Sequence, residues 1–142
     1  MTPEQVAMVQ SSFAQLNPQR PELAARFYER LFEVAPSIRA MFSQDPGVQE
    51  AIFVSELAVI VDSISQFDTF VQRTRRLGAS HAEYGVAHGH YETMGFVLRE
   101  VLAEALGPAF TDELHDAWRL AFDLVAETMM QGAADAPRAP RN

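Results

Sequence analysis

No cysteine occurs in the 142 residues, which excludes a disulfide framework, a thiolate metal site, a catalytic thiol and thioether attachment of a prosthetic group. Basic residues are scarce: 11 Lys and Arg stand against 19 Asp and Glu, for a net charge of -8 and a pI near 4.9. Such a surface repels phosphate backbones and anionic lipid, which argues against nucleic acid or a membrane as a partner. There is no apolar run long enough to cross a bilayer, and the start Met1-Thr2-Pro3-Glu4-Gln5 lacks the basic and apolar regions of a signal peptide, so the chain is expected to be cytoplasmic. Also missing are an alternating strand pattern, an internal repeat, a Ser-His-Asp ordering, a phosphate-cradling glycine loop and a nucleotide fingerprint. Any catalysis would then belong to a cofactor.

What is present is helical periodicity punctuated by proline and glycine. A composition that is 48% hydrophobic supplies one sizeable core and shows no second composition block. Thr2-Pro3-Glu4-Gln5 is a capping-box start for a helix carrying Val6, Val9, Phe13 and Leu16 until Asn17-Pro18. Pro21 opens a second helix with Leu23, Phe27 and Leu31 on one stripe and Tyr28 and Phe32 on the next, ending at Ala35-Pro36. A short turn runs to Phe42. Asp45-Pro46 then starts a helix in which Gln49 heads the apolar stripe Phe53, Leu57, Ile60, Ile64. Asp68 is placed to cap the next segment, which carries Arg73, Arg75 and Arg76 towards His81, and Gly78 is expected to split or distort it.

After a break at Gly85 the helix restarts at Tyr91, and Leu106-Gly107-Pro108 ends it. Thr111 caps the last helix, and residues 132–142, rich in Ala, Pro and Arg, are expected to be a disordered tail behind a domain of residues 1–131. The expected architecture is all-α, with about six to seven helices.

His81 ends the apolar stripe Phe70, Leu77, His81, Tyr84 and is aimed inward. On spacing alone this is also the pattern of a hydrogen-bonded core histidine. An inward imidazole in apolar surroundings, with the polar Tyr28 and Gln49 on apolar sides of other helices, is equally what a haem iron requires. His88 and His90 have a spacing that could suit a metal, but no third ligand is evident, and surface or capping roles are preferred.

In the run from Phe27-Tyr28 through Ala35-Pro36 to Met41-Phe42, in Gln49 seven residues on, in His81 thirty-two after that, in His90-Tyr91 and in Ala117-Trp118, the chain resembles the globins. More narrowly, it is similar to bacterial single-domain haemoglobins related to the haem domain of flavohaemoglobins. The resemblance implies a globin fold around non-covalent haem b, with His81 as the proximal iron ligand, Phe42 packed on the porphyrin, and Tyr28, Gln49 and Phe53 on the distal side. It also implies Val86, Tyr91 and Met94 in the haem pocket, and makes Arg76 the candidate partner of a haem propionate.

Two departures accompany it. The sequence holds no flavin or nicotinamide domain after the last helix. The family's glutamate late in that helix, which joins the proximal network of Tyr91, falls on Ala133. The expected function is reversible binding of O2, with NO and CO as further ligands, for storage, delivery or transport. The alternatives are nitric oxide dioxygenation dependent on an external reductase, and a haem-free sensor or interaction module.

Overall fold

In the computed structural model, which describes residues 1–42 and 45–135, each described proline falls in the first two positions of a helical segment. There its missing N–H loses no hydrogen bond and its fixed φ is already helical. Six α-helices result: α1 Pro3–Gln15, α2 Arg20–Val34, α3 Pro46–Ser63, α4 Phe67–Glu83, α5 His88–Leu106 and α6 Asp112–Asp135. Short 3-10 segments lie at Asn17–Gln19, Pro36–Met41 and Gly107–Ala109, and the described residues hold no strand. The fold is all-α, as expected.

Side-chain chemistry at the helix starts also matches expectation. Thr2 and Gln5 cap each other's backbone at 3.1 and 2.8 Å, Asp45 accepts from Gly47 N–H at 2.9 Å, and Thr111 accepts from Leu114 N–H at 3.2 Å. Asp68 is a correction. Gln66 is already extended, so α4 starts one residue earlier and Asp68 sits in its first turn, facing the positive helix end rather than capping it. The fifth helix likewise starts at His88, three residues ahead of Tyr91, after a turn at Gly85 with φ +87°. No helix among the described residues is long and apolar enough to cross a membrane.

Gly78 does not split α4. A Cβ there would overlap the backbone carbonyl of Met129, and one at Gly132 would overlap that of Arg75. Two glycines thus let α4 and α6 pass antiparallel with their backbones in contact. That contact carries α6 past Gln131: Gly132 is buried, Arg75 pairs with Asp135, and the helix runs to Asp135. Residues 132–135 are therefore helical, against the expectation of a tail beginning at 132, while the rest of that tail lies outside the described residues.

The main core gathers Val9, Phe13, Phe27, Leu31, Val97, Leu98, Val101, Leu102 and Trp118 from α1, α2, α5 and α6. Full burial of each such side chain contributes roughly 1.5–3 kcal/mol. Trp118 meets its polar requirement inside this core by donating Nε1–H to Ser12 Oγ at 2.9 Å, and Ser12 in turn donates to the Val9 carbonyl. On the surface, Arg26 grips Glu104 through Nε at 3.0 Å and Nη2 at 3.2 Å, and Arg30 pairs with Glu100 one turn along. A second, smaller cluster of Tyr91, Ala126 and Met129, joined by Leu77, Val86 and Val125, stands apart from the main core.

Candidate functional site

A cavity of about 350 Å³ lies where these two apolar clusters fail to merge, and residues of both line it. One wall is aromatic. The Tyr28 ring lies edge-on to Phe42 at 5.4 Å and to Phe53 at 5.6 Å, and Phe27 stacks on Phe53 at 4.5 Å between ring centres. These residues meet because Tyr28 and Phe32 stand one helical turn apart on α2, the 3-10 turn from Pro36 delivers Phe42, and Gln49 and Phe53 stand one turn apart on α3. The other wall is Leu77, Ser80 and His81 of α4 and Tyr84 just past its end, then Val86, His90, Tyr91 and Met94, with Val125 and Met129 behind.

Two hydrogen bonds define the polarity of this space. Gln49 Nε2 donates to the Tyr28 hydroxyl oxygen at 3.1 Å, so the phenol's own proton is left to be donated elsewhere. Burial, which disfavours the phenolate, raises the Tyr28 pKa, and the Gln49 bond only partly opposes this. The hydroxyl is a donor at any ordinary pH. On α4, His81 Nδ1 lies 2.9 Å from the Leu77 carbonyl oxygen, one turn back in its own helix. A carbonyl can only accept, so Nδ1 carries the proton and Nε2 keeps its lone pair, with no partner for Nε2 among the described residues. Burial lowers the His81 pKa, against smaller opposing effects of the Leu77 bond and of Glu56, so the ring stays neutral.

A neutral imidazole nitrogen facing an apolar slot, with a buried phenol donor on the same cavity, fits an iron porphyrin: one ligand for the metal, greasy walls for the macrocycle and a hydrogen bond for a bound gas. Among the described residues, no group of three or more His, Cys, Asp or Glu could hold a bare metal ion. His90 has a different use from metal binding. Its Nδ1 accepts from Ala87 N–H at 2.8 Å at the start of α5, a capping role.

Of the expected site residues, Tyr28, Phe42, Gln49, Phe53, His81, Val86, Tyr91 and Met94 all line the cavity. Arg76 does not. It is exposed on α4, off the lining itself and one turn before the lining residue Ser80. Tyr91 is buried against Ala126 and Met129, no described residue hydrogen-bonds its hydroxyl, and burial raises its pKa. Ala133 follows Ala126 and Met129 on α6 and brings no carboxylate.

Sequence reasoning missed Glu56 and His90 as lining residues. The signal for Glu56 was its place seven residues after Gln49, two turns along the same face. His90 was legible only as a capping candidate.

The family model described as Globin matches residues 25–129. The chain is 31% identical to the anaerobic nitrite reductase HBII of Casuarina glauca over 146 residues, covering 92% of this chain and 91% of that protein. It is 29% identical to a flavohemoprotein of Bordetella pertussis over 133 residues, 92% of this chain but 33% of that protein. Among solved structures it superposes with a TM-score of 0.84 and 29% identity on an engineered carbene transferase described as "putative nitric oxide dioxygenase from Rhodothermus marinus", covering 94% of each chain.

Proposed function

This chain belongs to the globin family, and on that premise we propose that it holds one haem b between its two apolar walls, with His81 as iron ligand, and binds O2 reversibly. The observation that carries the proposal is the fixed tautomer of His81, which leaves Nε2 free on a cavity shared with the Tyr28–Gln49 pair. When bound, the haem supplies a ferrous iron that takes O2, NO or CO. The chain's residues supply the rest. Phe42, Phe53, Leu77 and Val86 exclude water, and Tyr28 directs an O–H into the space a gas ligand would fill. Gln49 acts through Tyr28, its amide fixing the phenol so that the free proton points away from the amide.

Replacing Tyr28 by Phe tests this arrangement. A hydrogen bond to a partly charged acceptor contributes on the order of 1.5–3 kcal/mol, so O2 should leave about ten- to a hundredfold faster, with CO much less affected. Stopped-flow dissociation rates measure both, and equal O2 rates in the two proteins would mean the hydroxyl points elsewhere.

Nitric oxide dioxygenation with electrons from a separate reductase is the second reading, supported by the description of the Rhodothermus marinus neighbour. The proximal side weighs against it. Oxidative chemistry gains from an electron-rich imidazole, which a carboxylate partner provides and a backbone carbonyl provides only weakly. His81 has the Leu77 carbonyl, and no carboxylate among the described residues hydrogen-bonds the Tyr91 hydroxyl, which packs with an apolar cluster. The iron–histidine stretch of the ferrous protein, read by resonance Raman, should therefore lie in the range of weakly bonded proximal histidines, and Ala133→Glu should raise it. A high wild-type frequency would transfer the preference to the dioxygenase.

A further inference from the structure

Haem brings two carboxylates, and because leaving a carboxylate buried and unpaired is costly, they must stay at the cavity mouth and meet donors there. Arginine is the ordinary partner, yet no described arginine lines this cavity. Arg76 is exposed and off the lining, Arg75 is engaged with Asp135 and Gln131, and Arg20 lies over the Phe13 ring. Among the polar side chains that do line it, Glu56 would repel a carboxylate and Gln49 already donates to Tyr28. His90 differs from these. Since Nδ1 accepts from Ala87 N–H, the ring's proton resides on Nε2, and no described residue bonds that nitrogen.

We propose that His90 Nε2–H is the donor that holds a haem carboxylate at the cavity mouth, a neutral clamp in place of a basic one. The inference rests on the haem reading above. It makes His90 bifunctional: one nitrogen fixes the start of α5, and the other the orientation of the ligand. The hydroxyls of Ser80, on α4, and Tyr84, just past its end, also line the cavity and are O–H donors left for the second carboxylate.

The test separates the clamp from the cap. His90→Glu keeps an acceptor for Ala87 N–H at the third helical position, as in a capping box, but replaces the Nε2–H donor with an anion. His90→Gln keeps an acceptor and an amide donor. Haem loss to excess apomyoglobin is followed at the Soret band for wild type and both variants, each loaded with haem b or with haem dimethyl ester, whose carboxylates are masked. With haem b, His90→Glu should lose the group at least about tenfold faster than wild type, and His90→Gln within about threefold of it. With the diester, all three rates should agree within about twofold. Acceleration by His90→Glu that is equal for haem and diester would reveal a folding effect and overturn the clamp, as would no acceleration with haem b. A wild-type protein that takes up neither form would overturn the haem reading itself.

Discussion

Substituting His81 by Ala is expected to abolish stable haem retention and to bring the melting temperature of the reconstituted protein down to that of the haem-free chain. Of the two histidines that line the cavity, only His81 keeps a lone pair on its unbonded nitrogen, since the unbonded nitrogen of His90 carries the proton. Any ligand that binds the folded state alone stabilises it by mass action, by about 4 kcal/mol when present at a thousand times its dissociation constant. That is the size of effect that disappears. Soret absorbance and calorimetry of wild type and variant, each with and without haem, make the comparison.

Adding free imidazole to His81→Gly should restore the spectrum, because the deletion leaves a ring-sized gap beside Leu77. Failure of imidazole to restore it, with the haem-free proteins melting alike, would remove His81 from the ligand role. Acid acts on the same atom. The folded-state pKa of His81 is lowered by burial, so the unfolded chain binds the proton more readily. Its stabilising contribution is complete above the ordinary histidine value near 6.5 and is lost as pH falls through the lower folded value.

The largest effect away from the cavity is expected at Gly78. Even one methyl there meets the backbone of Met129, which no side-chain rotamer can move aside. Gly78→Val should cost about 3 kcal/mol or more, beyond the usual overpacking range, and lower Tm by on the order of 10 °C. Gly89→Ala is the control: a Cβ at Gly89 meets nothing within 4 Å, and alanine should be neutral or stabilising by up to about 1 kcal/mol. Similar Tm changes in the two variants would show that helix propensity, not backbone contact, governs Gly78. Because α4 carries His81, a Gly78→Val chain that does fold should also hold haem less tightly.

The same glycine shows where sequence reasoning stops. Period and cap chemistry are local, so the starts of α1, α3 and α6 and the inward sides of Tyr28, Gln49, Phe53 and His81 could be read directly. The value of Gly78 depends on a helix fifty residues away. Alone it reads as a weak point in α4; opposite Met129 it is the reason α4 can approach α6 at all.

Gly132 misled for the same reason, since an Ala- and Gly-rich end looks like a tail until its contact with Arg75 is known. For the arginines of α4 the limit is rotation: Arg73, Arg75 and Arg76 are indistinguishable by composition, and only the phase of α4 tells which side each takes. The Leu77 carbonyl that sets the His81 tautomer has no side-chain signature whatever.

The two arginine–glutamate pairs between α2 and α5 do more than their energy suggests. Exposed pairs of this kind add little to stability, because water and salt screen them. Arg26 meets Glu104 and Arg30 meets Glu100, so the two antiparallel helices are keyed at two successive teeth. Sliding α5 by one turn would set Arg26 against Glu100 but leave Arg30 opposite Phe96 and Glu104 with nothing to grip. The wrong alignment is thus penalised twice while the right one is rewarded only modestly, which is discrimination without added stability. Tyr28 lies between the two teeth on α2, and His90, Tyr91 and Met94 lie on α5. The surface charges therefore act as a vernier, setting to within a helical turn how high the phenol stands against the far side of the pocket.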